Sequence, residues 1–187
     1  MTSLKDALKQ RNYVLLLVAF AMIDGSFIAF GSILGPLFYG IFPPSDTSIV
    51  CGMTTVLGLA MSFISGMLIQ RKQLFRTMMR FSCFGTAIIL ISGAYVFTTQ
   101  LNDVIVVQTL MIGVVIVPII PVGINFSAEL TFPIEPTVVT GTLMMVGQLA
   151  GFFLAILGGP LCGISKGYAL GLFAVCGVIA SICSIII

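Results

Sequence analysis

The chain has 187 residues, 59% hydrophobic and only 7% charged, with a net charge of +2 and a mean hydropathy of +1.22. A soluble domain carries about a quarter charged residues, so the composition excludes one and requires an integral membrane protein. There is no histidine, no CxxC among the five cysteines and no basic face. A metal site, a haem held by histidine, a disulfide framework, nucleic-acid binding and a bound cofactor are therefore not expected.

Residues 1–12, MTSLKDALKQRN, form a polar, basic lead-in that runs straight into a full-length apolar segment. A signal peptide would show a short apolar core and a small-residue cleavage site, so the first helix is expected to be retained. A membrane crossing needs about 20 apolar residues. Six such segments fit, at 13–37, 48–69, 78–98, 103–128, 137–161 and 168–187. The expected fold is an all-α membrane protein, with residues 13–187 as one six-helix transmembrane domain. Lys5, Lys9 and Arg11 precede the first span, and Arg71, Lys72, Arg76 and Arg80 surround the connection between the second and third. Lys166 alone falls on the other side. Cytosolic loops are enriched in Lys and Arg, which places both termini in the cytosol and the loops at 39–47, 99–102 and 162–167 outside. The membrane is the plasma membrane or that of an organelle.

Asp24 falls about halfway along the first span, where a charged carboxylate costs roughly 2.5–3.5 kcal/mol. No Lys or Arg stands at matching depth. Asp24 is protonated, or faces a watery cavity, or meets a partner on another chain; it reads as a cation-binding or proton-coupling group, or as a neutral acid bonded within the bundle. Phe20, Phe27 and Phe30 surround it in sequence, and an acid beside aromatic rings suits a quaternary ammonium, although core or lipid-facing roles also fit these rings. In the fourth span Gln108 is polar, and Pro118 and Pro121 should kink the helix. Asn125 and Glu129, four apart, share a face near its cytosolic end; a gate, a salt bridge to Arg71, Lys72 or Arg76, and plain interfacial solvation all fit. In the fifth span Gln148 lies near the middle, as a substrate contact or an interhelical hydrogen bond. Gly147 with Gly151, and Gly159 with Gly163, are GxxxG pairs expected to pack helices inside one bundle, and Gly158, Gly159 and Pro160 should bend the span near its end. The cysteines read as buried, inert small residues.

Two levels of resemblance follow. Six spans with both ends cytosolic resemble the C-terminal half, spans 7–12, of a major facilitator transporter. The stretch GMLIQRKQLFR at 66–76 is similar to that superfamily's G-x-L-x-D-R loop motif, with Gly66, Leu68 and Arg71 matching and Gln70 in place of the acid. More closely, the chain resembles the feline leukaemia virus subgroup C receptor family, described as haem exporters and as choline and ethanolamine transporters. That likeness is carried by LKQRNYVLLLVAFAMIDGSF (8–27), PVGINFSAELTFP (121–133) and TGTLMMVGQLAG (140–151). The resemblance implies that Gln148 takes part in substrate binding. It also implies that Ile28 stands at the position of a family aromatic, Asn125 at that of a family acid and Met144 at that of a family asparagine.

The expected function is transport of a small organic solute, choline-, ethanolamine- or haem-like, by alternating access. Gln148, Asp24, Phe27 and Phe30 would bind it, and Asn125, Glu129, Gly66 and Arg71 would line a cytosolic gate. Membrane lipid, the solute and a second six-helix half, from a homodimer or a separate chain, are the expected partners. With no histidine, no GxSxG and no paired acids at one depth, an enzyme is not expected. A membrane scaffold that keeps the half-fold without transporting is the alternative.

Overall fold

The structure, a computed structural model, describes residues 4–72, 75–99 and 102–187, and of residues 70–72, 102 and 103 the backbone alone. A short helix α1 (Leu4–Leu8) lies in the basic lead-in and is followed by α2 (Arg11–Phe38), α3 (Pro44–Lys72) and α4 (Phe75–Thr99). Then come α5 (Asn102–Ile116), α6 (Ile119–Leu130), α7 (Pro136–Ile164) and α8 (Lys166–Ile186). With α5 and α6 taken as one broken span, six helical segments of 21 to 29 residues are long and apolar enough to cross a bilayer, since a rise of about 1.5 Å per residue makes even the shortest about 30 Å long. The chain is an integral, multi-pass membrane protein.

The break in the fourth span falls where its prolines require it. Pro118 has no amide hydrogen to continue the ladder, so α5 stops at Ile116 and α6 restarts at Ile119. The Ile120 amide then donates to the Val117 carbonyl at 3.2 Å in a tighter turn. Pro160, by contrast, ends nothing: α7 continues through it to Ile164, and Ser165 alone separates α7 from α8. The loop expected at 162–167 is therefore nearly all helix. The loop expected at 39–47 is shortened as well, because α3 starts at Pro44. Gly40, at φ 77°, supplies the left-handed residue that turns the chain out of α2.

α2 is the central helix. It is apolar nearly all round, which is the pattern of a buried helix rather than an amphipathic one, and it packs on α7, α8 and α6. α4 pairs with α8, and α3 with α5. The start of α2 is tied to the start of α7 by the buried Tyr13 hydroxyl, which donates to the Val139 carbonyl at 2.9 Å. At the same end of the bundle, Arg80 at the start of α4 donates to the Ser184 and Ile185 carbonyls in the last turn of α8, at 3.1 and 3.2 Å. The far end is latched by Lys166, whose Nζ donates to the Tyr39 carbonyl at 2.8 Å.

Small residues bring the helices close. A Cβ built on Gly25 would lie 2.9 Å from both the Ala150 Cβ and the Gly151 amide nitrogen, and one on Gly151 would lie 2.8 Å from Ile28 Cβ. The pair Gly147–Gly151 thus packs within this bundle, as its spacing predicts. Gly159 and Gly163 do not: nothing stands within 4 Å of a Cβ on either. Gly58 and Gly113 make the equivalent close crossing of α3 and α5, where a Cβ on Gly113 would lie 2.5 Å from the Thr54 carbonyl.

Candidate functional site

The α2–α7 crossing places the most costly polar group of the chain. Asp24, Gly25 and Ile28 turn toward α7, and Gly147 lies opposite Asp24. A Cβ on Gly147 would be 2.5 Å from Asp24 Oδ2 and 3.3 Å from Phe20 Cε1. Asp24 is only 4% exposed, and its Oδ2 is buried with no hydrogen-bond partner among the described residues. The ring beside the acid is therefore Phe20, which is fully buried and also covers Gly123 of α6.

Phe27 and Phe30 point elsewhere. They line a cleft of about 190 Å³ between α2 and α3, with Ile28, Gly31, Cys51 and Thr55. Its hydroxyls are tied to their own helix, Thr54 to the Val50 carbonyl at 2.8 Å and Thr55 to the Cys51 carbonyl at 3.0 Å. The free surface of the cleft is apolar as a result. Cys51 is the exception among the cysteines: it is exposed, whereas the other four are buried or half-buried. On the other side of α2, a cleft of about 560 Å³ opens between Gly35, Pro36 and Tyr39 and the end of α7 from Gly159, together with Lys166 at the start of α8.

Gln148 follows Gly147 and so stands at the level of Asp24, but about 100° further round α7. It is exposed and makes no hydrogen bond among the described residues. The interhelical bond is made instead by Gln108, whose Nε2 reaches the Ile89 carbonyl at 2.5 Å and Ser92 Oγ at 3.0 Å, joining α5 to α4.

At the end of the bundle that carries the chain termini, Gly66 of α3 and Pro121 of α6 line one further cleft of about 560 Å³. Asn125 is exposed and its Nδ2 donates back to the Pro121 carbonyl at 2.7 Å. Glu129, one turn on, is also exposed and forms no ion pair with Arg76; among the described residues the one side-chain ion pair is Lys9–Asp6, at 3.7 Å. The side chain of Arg71, with that of Lys72, lies outside the described residues. The structure thus brings Gly66 to the Pro121–Asn125 face, and it brings Gln148 to the level of Asp24. It separates Asp24 from the Phe27–Phe30 cleft. Gly147, which the sequence marks for packing, is the residue that makes room for the acid.

No family model matches the chain. It is 24% identical over 165 residues to the choline/ethanolamine transporter FLVCR2 of Rattus norvegicus, covering 86% of this chain and 30% of that protein. It is 27% identical over 157 residues to solute carrier family 49 member A3 of Xenopus tropicalis, covering 82% of this chain and 32% of the relative. An MFS-type transporter of Caenorhabditis elegans is 23% identical over 162 residues, 84% of this chain and 27% of its own length. The chain spans about a third of the length of the curated relatives it matches. Six membrane-length helices, together with relatives of this kind along most of the sequence, are consistent with a six-helix half of the major facilitator fold, and the chain is similar to the feline leukaemia virus subgroup C receptor family.

Proposed function

We propose that this chain works as one half of a secondary transporter that carries a small organic solute across a membrane by alternating access. The observation that carries the reading is Gln148. Its amide is exposed halfway along a membrane-spanning helix and unbonded within its own bundle. In hydrocarbon an unsatisfied amide costs several kcal/mol, so a polar path or a second protein surface has to cover it. α4 and α8 expose large apolar side chains, among them Phe81, Ile88, Ile91, Val175 and Ile182, which suits lipid. α2 and α7 also expose Gly31, Ser32, Gly35, Gly141, Gln148 and Gly163, small and polar residues of the kind that membrane proteins keep for helix contacts and aqueous paths, beside large apolar side chains of α7 such as Phe152 and Ile156.

In this reading a second six-helix half, a second copy or a separate chain, faces α2, α3 and α7, with the solute bound between the halves near the midplane. Gln148 and the Phe27–Phe30 cleft contact it. The end with the chain termini and most of the Lys and Arg residues is cytosolic, and Gly66, Arg71, Asn125 and Glu129 form the gate there. The name of the rat relative, and the glutamine correspondence, favour a choline- or ethanolamine-like solute, with haem as the other substrate class of the family.

The test is reconstitution of the full chain in liposomes, with its oligomeric state and its flux of labelled choline, ethanolamine and haem measured together. Flux of one of them, lowered about tenfold by Gln148→Ala through loss of one polar contact, is expected. A monomer that moves none of the three would overturn transport by this chain and make it a membrane scaffold.

A further inference from the structure

Of the six acidic residues, Asp6, Asp46, Asp103, Glu129 and Glu135 stand at or near helix ends, and Asp24 alone stands midway along a span. Among the described residues its surroundings hold no counter-charge. α7 has no charged residue between Pro136 and Ile164, and the one charge of α6 is Glu129 at its far end. On the other helices packed against α2, Lys166 is tied to Tyr39 at the far end. Asp46, Arg71 and Lys72 stand at the two ends of α3, and Arg76 and Arg80 at the start of α4. The nearby thiols are elsewhere: Cys51 is in the α3 cleft, Cys162 is near Lys166, and Cys176 sits beside Ser26 on another face of α2.

The same packing limits what Asp24 can bind. Oδ2 sits against the Gly147 backbone, where even a methyl group would collide, and none of the three clefts lined by the α2 end or flanks includes Asp24. An ammonium group or a hydrated metal ion has no room at this oxygen. A proton needs none. We infer that Asp24 is a proton-binding site built into the α2–α7 crossing: the neutral acid lets the two helices close on Gly147, and loss of the proton to water parts them.

The step is a single proton exchange. The closed crossing holds Oδ2–H; when α2 and α7 separate, water reaches the carboxyl, accepts the proton and leaves a carboxylate that is then hydrated. An unpaired carboxylate in the closed crossing is disfavoured, which biases the closed form toward the neutral acid by roughly a hundredfold. Reciprocity then makes opening of the crossing release the proton, and binding of the proton favour closure. As a coupling site for solute movement this rests on the transport reading above; as a proton site it does not.

The experiment uses the full chain in lipid nanodiscs and reads the acid directly. Infrared spectra at about pH 5 should contain a carboxylic-acid C=O stretch that Asp24→Asn removes; Asp24→Ala, which adds no volume, should remove it as well. Amide exchange around Gly147–Gly151 should speed up between about pH 5 and about pH 9 by about tenfold more in the wild type than in Asp24→Asn, the change expected for one proton-linked opening. A wild-type spectrum with no acid band that depends on Asp24, or exchange with the same pH dependence in both proteins, would overturn the proton site whatever the flux. Absent flux with the band intact counts against the transport reading and leaves the proton site standing.

Discussion

Gly147 holds the space that the carboxylate of Asp24 fills: a Cβ at that glycine would stand 2.5 Å from Oδ2. The two residues come from the first and fifth spans, and each explains the other. The acid needs a neighbour without a side chain in order to be buried, and the glycine stripe of α7 needs a compact helix face to close on.

Gly147→Ala should therefore destabilise the bundle by about 1–3 kcal/mol through overpacking. Asp24→Ala in the same chain should recover a large part of that loss, because it removes the oxygen that the new methyl meets. Thermal unfolding of the four proteins in one detergent gives the double-mutant cycle. Additive losses would mean that the two side chains do not share this space.

Gly159→Ala and Gly163→Ala should behave in the opposite way. Both positions are open, with nothing within 4 Å of a Cβ, so each change should stay within about 0.5 kcal/mol of the wild type. If either cost as much as Gly147→Ala in the same melt, that GxxxG would be packing against something, and a second copy of the chain would be the first partner to test by crosslinking.

Two glutamines should separate stability from activity. Gln108→Ala removes the bonds to Ile89 and Ser92 and should lower stability by about 0.5–1.5 kcal/mol, the range for a polar interhelical contact in a membrane. Gln148→Ala breaks no bond in the bundle and should leave the melting temperature unchanged while lowering flux. A melt in which Gln148→Ala is the more damaging of the two would contradict the placement of both.

Tyr13→Phe deletes one buried hydroxyl and nothing else. The Val139 carbonyl loses the hydroxyl donor that stands 2.9 Å away, and a loss of about 1 kcal/mol is expected. Faster amide exchange should be confined to the adjoining starts of α2 and α7, with α4 and α8 unaffected. An effect spread over the whole bundle would show that this hydroxyl does more than tie two helix ends.

The spans were legible in the sequence because hydropathy and length are local and additive: each of the six predicted segments lies within about four residues of a helix boundary at both ends. Pro118 broke its helix for an equally local reason, the missing amide hydrogen. The short connections were less legible. At 162–167 the glycines and serine read as a loop, yet the ladder closes on either side of Ser165, since in a membrane helix the alternative is an unsatisfied backbone. Composition also marked the residues worth attention, Asp24, Gln148, Gln108 and the glycine pairs, because polar and small residues are costly or conspicuous among so many aliphatic ones.

What the sequence by itself determined is thus the membrane class, the number and limits of the spans and the short roll of polar residues inside them. The tertiary structure alone decided which of those residues face one another. α2 and α7 are apolar on nearly every side, so neither carries a pattern that fixes its inward face. Only the close approach of Gly25, Gly147 and Gly151 sets the rotation of the two helices. That rotation buries Asp24, exposes Gln148 at the same level, and turns Phe27 and Phe30 away toward α3. The physical reason is that burial cost belongs to single residues and can be summed along a chain, whereas the partner that offsets it comes from a distant segment and exists only once the helices have packed.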